Sequence, residues 1–167
     1  MHTRISGFSQ QQIISEERIK YAFTQAPLRH RRSINLIRYD PNRTIATAIN
    51  TYSEQTIPDS VQGSYYQSEH LNAIVIWRFY SPEEFHHILY HEIGHYVFRN
   101  ILDQPARDEW LYGVRTRELK TVSDYACKNA REDFAECYAF RMIQRPELNL
   151  CPQRNEYFSN YVFKPAT

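Results

Sequence analysis

Two histidines four residues apart, His91 and His95, flank Glu92 in a segment whose apolar residues recur at the spacing of a helix. Ser81 and Pro82 are typical of a helix start. Residues four apart lie on one face of a helix, so both imidazoles can reach one metal ion and leave room for a third ligand and a water molecule. The segment therefore predicts a partly buried helix that carries a metal site.

His87 is a rival ligand, because it lies four residues before His91 and shares its face. Ile88 follows it where a water-activating carboxylate is needed, so His91 and His95 are the favoured pair. The chain has seven histidines. The alternative that the motif arose by chance on an ordinary amphipathic helix stays open at this point.

A second helix is predicted over residues 129–143, with Glu132 and Glu136 one turn apart on one face. Carboxylates on a face that also carries alanines and aromatics are costly to bury unpaired. A metal ion, or a histidine bound to a metal, would remove that cost. The two glutamates are therefore candidates for the same site.

The alternative for this acidic pair is a solvated face with salt bridges to Arg131 or Arg141. Two small residues on the same helix, Ala135 and Ala139, argue against a solvated face. They indicate close packing of this helix against a neighbour.

Tyr125 lies seven residues, or two helical turns, before Glu132. If the helix already runs there, Tyr125 and Asn129 join the two glutamates in one stripe. A phenol near a metal can donate a hydrogen bond to an oxyanion. The chain has thirteen tyrosines, so a structural role is the alternative for this one.

In this order, the elements resemble the gluzincin metallopeptidases, and within them the catalytic domain of anthrax lethal factor and the Pro-Pro endopeptidases. The matching residues are the HExxH segment, Tyr125 and the stretch from Glu132 to Glu136. The resemblance covers residues 81–145. It implies a zinc metalloendopeptidase that hydrolyses peptide bonds with one catalytic Zn²⁺.

The resemblance also implies a role for each matching residue. His91, His95 and Glu132 are the zinc ligands, and Glu92 is the general base that takes a proton from water. Tyr125 is the residue that stabilises the oxyanion.

Glu136, by the same resemblance, orients a histidine ligand through a hydrogen bond. An aspartate third ligand remains an alternative that no matching motif supports. The candidates are Asp103, Asp108, Asp124 and Asp133.

The chain is long enough for one α+β domain over residues 1–167. The resemblance implies a zincin-like arrangement, in which an N-terminal helix and a small twisted mixed sheet (about 1–80) lie over the metal helix and a mainly helical half (about 81–167) follows. Patterning predicts helices at 10–25, 106–119 and 152–163, a hairpin of strands 33–39 and 44–52 joined by a turn at 40–43, and strands at 63–68 and 71–79.

The expected partner is a protein or peptide substrate, bound extended along a sheet edge. Either 63–68 or 71–77 is the candidate edge strand. Trp110 could line a substrate pocket, and the link between the two predicted metal-bearing helices, in which it lies, could cover the cleft. Trp77 is favoured as a core residue. The other candidates for pocket walls are Tyr65, Tyr66 and Tyr112.

Composition weighs against other function classes. The formal net charge is +1 and 23% of residues are charged, which disfavours nucleic-acid binding. A basic cluster, defined by Arg29, His30, Arg31 and Arg32 with Arg38 and Arg43 nearby, could contact phosphates, but a solvated loop is the favoured interpretation. No apolar run is long enough to span a membrane.

The start of the sequence lacks the apolar core of a signal peptide. A cytoplasmic protein is expected, with export by another route or after leader removal as alternatives. Three cysteines without a CxxC spacing predict free thiols, and Cys127, two residues from Tyr125, is a minor candidate for approach to the metal.

Two other functions remain as hypotheses. One is a zinc hydrolase of another class, such as a peptide-processing amidase in a biosynthetic pathway. The other is a non-catalytic binding or regulatory protein that keeps the fold. The presence of both Glu92 and Tyr125 argues against the latter, because a scaffold needs neither.

Overall fold

A computed structural model describes residues 3–44 and 61–164 of the 167-residue chain. Within those ranges the chain has an α+β fold, as predicted. The strands are β1 (Arg4–Ser6), β2 (Leu36–Tyr39), β3 (Gly63–Gln67) and β4 (Asn72–Ile76). The α-helices are α1 (Glu16–Gln25), α2 (Pro82–Asn100), α3 (Gln104–Asp108), α4 (Arg115–Arg117), α5 (Ala130–Met142) and α6 (Pro152–Tyr157).

The four strands form one mixed sheet in the order β1-β2-β4-β3. β2 runs parallel to both β1 and β4, and β3 is antiparallel to β4. Because β2 has a neighbour on each side, neither of its edges is left for a hairpin partner, and the predicted hairpin is wrong. Its second strand, 44–52, lies outside the described residues except for Thr44.

α1 begins six residues later than predicted. Ser15 caps it by accepting a hydrogen bond from the Arg18 amide at 3.4 Å, while residues 8–10 form a separate 3-10 turn. The Gln11 side chain holds the intervening loop, since its amide donates to the Ile14 carbonyl at 2.8 Å. These side-chain contacts compete with the helix, so apolar periodicity alone placed the start too early.

α2 begins where it was predicted to begin, at Pro82 after the Ser81 cap. Ser81 caps it by accepting a hydrogen bond from the Glu84 amide at 3.1 Å, and Pro82 occupies the first turn. Its apolar stripe is buried at Phe85, Leu89, Ile93 and Val97. This burial fixes which face of the helix turns toward α5 and the sheet.

The sheet is buried on both faces among the described residues. Ile37, Ile74 and Ile76 pack into the main core with the helices, whereas Ala73 and Trp77 belong to a smaller cluster on the other face. Trp77 is buried, which confirms the prediction that it is a core residue.

The link between α2 and α5 is helical, as predicted for 106–119. It runs through α3, a π-helical segment (Glu109–Val114) and α4. Trp110 is fully buried in this segment and donates its indole N–H to the Ala130 carbonyl at 2.9 Å. The prediction that Trp110 could line a substrate pocket is therefore wrong, because its ring is part of the core under α5.

The C-terminal segment also matches its prediction. α6 continues into a π-helical turn (Phe158–Val162) that packs against α5 through Phe158 and Phe134, whose ring centroids are 4.9 Å apart. No helix in residues 3–44 or 61–164 is both long and apolar enough to cross a membrane.

Candidate metal centre

The candidate site forms where α2 and α5 cross. α2 carries the two histidines and Glu92, and α5 carries Glu132 and Glu136. The helices approach closely because Gly94 has no side chain: a Cβ built there would lie 2.9 Å from the Ala135 Cα and 3.0 Å from the Tyr138 Cβ. The predicted close packing of α5 through its alanines is confirmed, and it brings the two sets of side chains face to face.

Three donor atoms converge at this crossing. The His91 Nε2 lies 3.0 Å from the Glu132 Oε2 and 3.1 Å from the His95 Nε2, and the His95 Nε2 lies 3.4 Å from the same Glu132 oxygen. Around a tetrahedral zinc ion with bonds of about 2.0–2.1 Å, neighbouring donor atoms are roughly 3.3 Å apart. The three atoms have the separations that one zinc ion requires.

The orientation of His91 is set by Glu136. The His91 Nδ1 lies 2.9 Å from the Glu136 Oε1, and because a carboxylate only accepts, the Nδ1 carries a proton. The His91 Nε2 faces Glu132 and His95, and it lies 3.0 Å from the Glu132 Oε2 as a second hydrogen-bond donor, so a metal ion bound there would take the place of the Nε2 proton. This is the arrangement of a histidine ligand held by an outer carboxylate.

Glu136 is itself held from two other directions. The Ser123 hydroxyl donates to its Oε2 at 2.6 Å, and the His87 Nε2 donates to its Oε1 at 2.8 Å. Ser123 was not predicted from the sequence, because it lies outside every predicted element and no spacing marks it. Its role is visible only once the loop before α5 is seen to fold back on the helix.

His87 belongs to a second group of potential ligands, with His91 and Glu136, whose donor atoms also lie within 4.8 Å of one another. In that group both histidines contact the same oxygen, the Glu136 Oε1. Two imidazole N–H groups that donate to one carboxylate oxygen form hydrogen bonds with it. His87 therefore supports Glu136, and the group of His91, His95 and Glu132 is the better candidate for the metal.

The charges at the crossing are strongly coupled. Burial raises the pKa of the Glu132 carboxyl, but hydrogen bonds to His91 and His95 outweigh it and hold that pKa well below its usual range. Burial likewise raises the pKa of Glu136, and His87 and His91 reverse the effect. Both carboxylates stay ionised at neutral pH.

Glu92 lies beside the three donors but makes different contacts. Its side chain is buried against β3, where a Cβ built on Gly63 would lie 3.3 Å from its Oε1, and burial raises the pKa of its carboxyl. Its Oε2 has no hydrogen-bond partner among the described residues. A buried carboxylate with one free oxygen is suited to accept a proton from a molecule bound in the cleft.

Tyr125 reaches the site by a route that differs from the prediction. α5 starts only at Ala130, because the Asn129 side chain caps it by accepting hydrogen bonds from the amides of Arg131 and Glu132. Tyr125 lies in a separate 3-10 turn, so the predicted continuous helical stripe is wrong. The turn still places its ring 5.7 Å from the ring centroid of His91, on the wall of the same cleft.

The cleft at the donors has a volume of about 700 Å³. Of the aromatic side chains predicted to line pockets, Tyr65 lies on its wall, whereas Tyr66 and Tyr112 do not. β3 contributes this wall, because it packs over α2 at the edge of the described sheet. The described lining residues are Ser64, Tyr65, His91, Glu92, His95, Phe98, Arg99, Arg107, Tyr125, Asn129, Arg131 and Glu132.

None of the four alternative aspartate ligands is near the three donors. Asp133 is fully buried in a bidentate ion pair with Arg154, at 3.0 and 2.8 Å. The remaining three, Asp103, Asp108 and Asp124, do not line the cleft. The aspartate alternative is therefore wrong for the described residues.

The cysteines are free thiols, as predicted. The Cys127 Sγ contacts the Thr121 hydroxyl at 3.1 Å and the Ser123 carbonyl at 3.8 Å. It belongs to neither group of potential metal ligands found among the described residues. Cys137 and Cys151 are buried, and burial raises the pKa of both thiols.

Several side chains of the basic cluster make contacts within the fold. Arg29 donates to the Val162 carbonyl, Arg31 donates to the Ala26 carbonyl at 2.9 Å, and His30 is fully buried. Arginines that are bound to backbone oxygens are poorly placed to contact a phosphate chain. The favoured interpretation of the segment as a solvated loop is therefore wrong for Arg29, His30 and Arg31, which are held against the fold.

Comparison with known proteins does not assign the chain to a family. No protein-family model matches the sequence, and no curated protein matches it.

Proposed function

We propose that this chain is a zinc-dependent metalloendopeptidase of the gluzincin type, with the zincin-like arrangement of a small sheet over the metal-bearing helix. The observation that carries the proposal is the convergence of His91, His95 and Glu132 within 3.0–3.4 Å, beside the buried carboxylate of Glu92. A metal site alone would not need that carboxylate. Its position at the same cleft supports a catalytic site.

In this proposal His91, His95 and Glu132 hold one Zn²⁺ ion. Bound there, zinc would supply a Lewis acid and lower the pKa of a water molecule toward about 7. Glu136 and Ser123 keep the His91 ring in the orientation that directs its Nε2 to the ion.

Glu92 is the general base. Its free oxygen accepts a proton as water attacks the peptide carbonyl, and the same oxygen later delivers that proton to the leaving amine. Burial raises the pKa of the Glu92 carboxyl, which brings its basicity closer to the operating pH and makes the second transfer easier.

Tyr125 is the donor to the developing oxyanion. Burial raises the pKa of its phenol to about 12, so the hydroxyl keeps its proton at neutral pH and can donate it in a hydrogen bond. The Lys128 ammonium lies 3.7 Å from the centroid of the Tyr125 ring and limits where that ring can move.

The substrate is expected to lie extended along β3. Within the described sheet β3 is an edge strand, and it contributes Ser64 and Tyr65 to the cleft wall. A peptide that pairs with this edge would pass over Glu92 and the three donor atoms. Of the two candidate edges, β4 is excluded because strands β2 and β3 flank it.

The test is digestion of a peptide library by the zinc-loaded protein, with products identified by mass spectrometry. Cleavage of internal peptide bonds is expected, and it separates an endopeptidase from an amidase of another class. Glu92→Gln should keep its zinc and lose at least about a hundredfold in turnover. Glu83→Gln, an exposed change on the same helix, is the matched control and should keep both.

Full turnover in Glu92→Gln would show that the general base is elsewhere. Zinc binding without cleavage of any library member would favour the non-catalytic hypothesis.

A further inference from the structure

The described charged side chains that line the cleft outside the candidate metal site all carry positive charge. Apart from the carboxylates of the metal site itself, the charged residues among its described lining are three arginines. Arg99 lies in the last turn of α2, Arg107 in α3 and Arg131 in the first turn of α5. We refer to these three residues as the arginine rim.

Two members of the rim have guanidinium groups available to a ligand. The side chains of Arg99 and Arg131 are exposed and make no hydrogen bond or ion pair with the described part of the chain. Arg107 is held in place, since it donates to the Arg99 carbonyl at 3.1 Å and to the Gln104 side chain at 3.2 Å. These two contacts leave further N–H donors on Arg107.

The acidic residues of the cleft do not cancel this charge for a ligand at the mouth. Glu132 is engaged by His91 and His95, and Glu92 is buried beneath β3. The chain as a whole carries a formal net charge of only +1, so the positive charge is a local property of the cleft.

We propose that the arginine rim selects peptides that carry carboxylates close to the cleaved bond. The inference rests on the proposed peptidase function and specifies its substrate class. Guanidinium groups pair with carboxylates through parallel N–H donors, and clefts lined by one sign of charge concentrate ligands of the other sign. We assign the carboxylate to an Asp or Glu side chain, and the end of a peptide chain is the other source that the experiment distinguishes.

The probes are two pools of short peptides, N-acetylated and C-amidated, that differ only in having Glu and Asp in one pool and Gln and Asn in the other. The acidic pool is expected to be cleaved with a kcat/KM about tenfold higher, mainly through a lower KM. The ratio should shrink when the salt concentration rises from about 0.1 M to about 1 M, because the Debye length falls from about 10 Å to about 3 Å. Equal cleavage of the two pools would overturn the inference.

A third pool distinguishes the source of the carboxylate. It has the neutral residues but a free C-terminal carboxylate. We expect it to behave like the neutral amidated pool. A gain confined to this third pool would overturn the assignment to side chains and place the recognised carboxylate at the chain end.

The variant test is Arg99→Gln combined with Arg131→Gln. The ratio of acidic to neutral cleavage should fall toward one, with zinc content unchanged. Arg32→Gln changes an exposed arginine that does not line the cleft and should leave the ratio at its wild-type value. A ratio that is unchanged in the double variant would contradict the role of the rim.

Binding separates this inference from the peptidase proposal. The zinc-loaded Glu92→Gln variant is titrated with both amidated pools, each labelled with an uncharged fluorophore, and anisotropy is measured. Preferential binding of the acidic pool, lost when the two arginines are also changed, supports the rim even if wild type cleaves nothing. Cleavage by wild type without an acidic preference supports the peptidase and contradicts the rim.

Discussion

Gly94 and Ala135 are in contact at the crossing of α2 and α5, where a Cβ on Gly94 would lie 2.9 Å from the Ala135 Cα. This contact sets the distance between the helix that carries the two histidines and the helix that carries the two glutamates. The proposed metal centre therefore depends on Gly94, a residue that has no metal-binding side chain.

Gly94→Ala should weaken both the fold and the site. The added methyl group would meet the backbone of α5, which cannot rotate away, so we expect a loss of about 1–3 kcal/mol in the free energy of unfolding and a weaker affinity for zinc. Denaturant unfolding and a competition assay with a zinc chelator measure the two effects.

Gly113→Ala is the matched control. Its Cβ would meet only the end of the flexible Glu109 side chain, which can move. An equal loss of zinc affinity in both glycine variants would contradict the role of the Gly94 contact.

Ser123 and Glu136 should affect zinc binding without being ligands. Glu136→Gln weakens the acceptor for the His91 Nδ1 proton, and we expect zinc affinity to fall about 10- to 100-fold. Ser123→Ala removes one hydrogen bond to Glu136 and should cost less, about tenfold. If Glu136→Gln instead abolished zinc binding as completely as the loss of His91, Glu136 would itself be a ligand.

The ion pair of Asp133 and Arg154 should contribute to stability and not to metal binding. Both side chains are buried, so Asp133→Leu removes the bidentate partner of the Arg154 guanidinium and leaves it with Glu118 alone, which should cost about 3–5 kcal/mol in unfolding free energy. The double variant Asp133→Leu with Arg154→Met should recover much of that loss. Lys20→Met breaks an exposed pair with Glu16 and should leave the free energy of unfolding nearly unchanged.

The folded variants of this ion pair should still bind one zinc per chain. A loss of zinc at full folding would show that Asp133 takes part in the metal site.

His30 should make the fold sensitive to acid. Burial, and then the charge of Arg29, lowers the pKa of His30 to about 4, while its ordinary value is 6.5. Below about pH 6.5 the unfolded chain takes up a proton at this histidine that the folded chain takes up only near pH 4. Stability is thus fully present above pH 6.5 and falls on acidification, by up to about 3 kcal/mol.

The measurement is urea unfolding of the metal-free protein across this pH range, compared with His30→Gln. The other titrating groups are shared, so the difference between the two proteins isolates His30. The neutral ring donates from Nδ1 to the Tyr138 hydroxyl at 3.0 Å, and Gln offers a donor there. Parallel pH profiles for the two proteins would contradict the lowered pKa.

Local signals in the sequence were sufficient to predict the helices of the site. The Ser81 cap, the first-turn Pro82 and the apolar stripe define α2, and they act through residues at most four positions apart. The grouping of His91, His95 and Glu132 could be predicted because the resemblance supplied the pairing of two helices that are far apart in the chain.

The sheet could not be predicted in the same way. The strand β1 has three residues, and its parallel partner β2 begins at Leu36, so no turn chemistry marks the pairing. An apolar strand followed by Asp40 and Pro41 suggested a hairpin, yet the turn there is formed without one, since the Arg43 amide donates to the Asp40 carbonyl at 2.9 Å. Non-local pairing overrode the local signal.

The positions of Tyr125 and Trp110 also could not be predicted from the sequence. Helical spacing predicted that Tyr125 lies on α5. The Asn129 cap instead starts that helix after Tyr125, and a separate 3-10 turn places the Tyr125 ring at the site. Trp110 lies within a π-helical segment, whose shifted periodicity turns the indole into the core.

The most direct test is elemental analysis of the purified protein and of Glu132→Ala. The account predicts about one zinc per chain in the wild type and its loss, or a much weaker affinity, in the variant. Absence of zinc from the wild type after reconstitution, or retention of full zinc affinity by Glu132→Ala, would contradict the proposed centre.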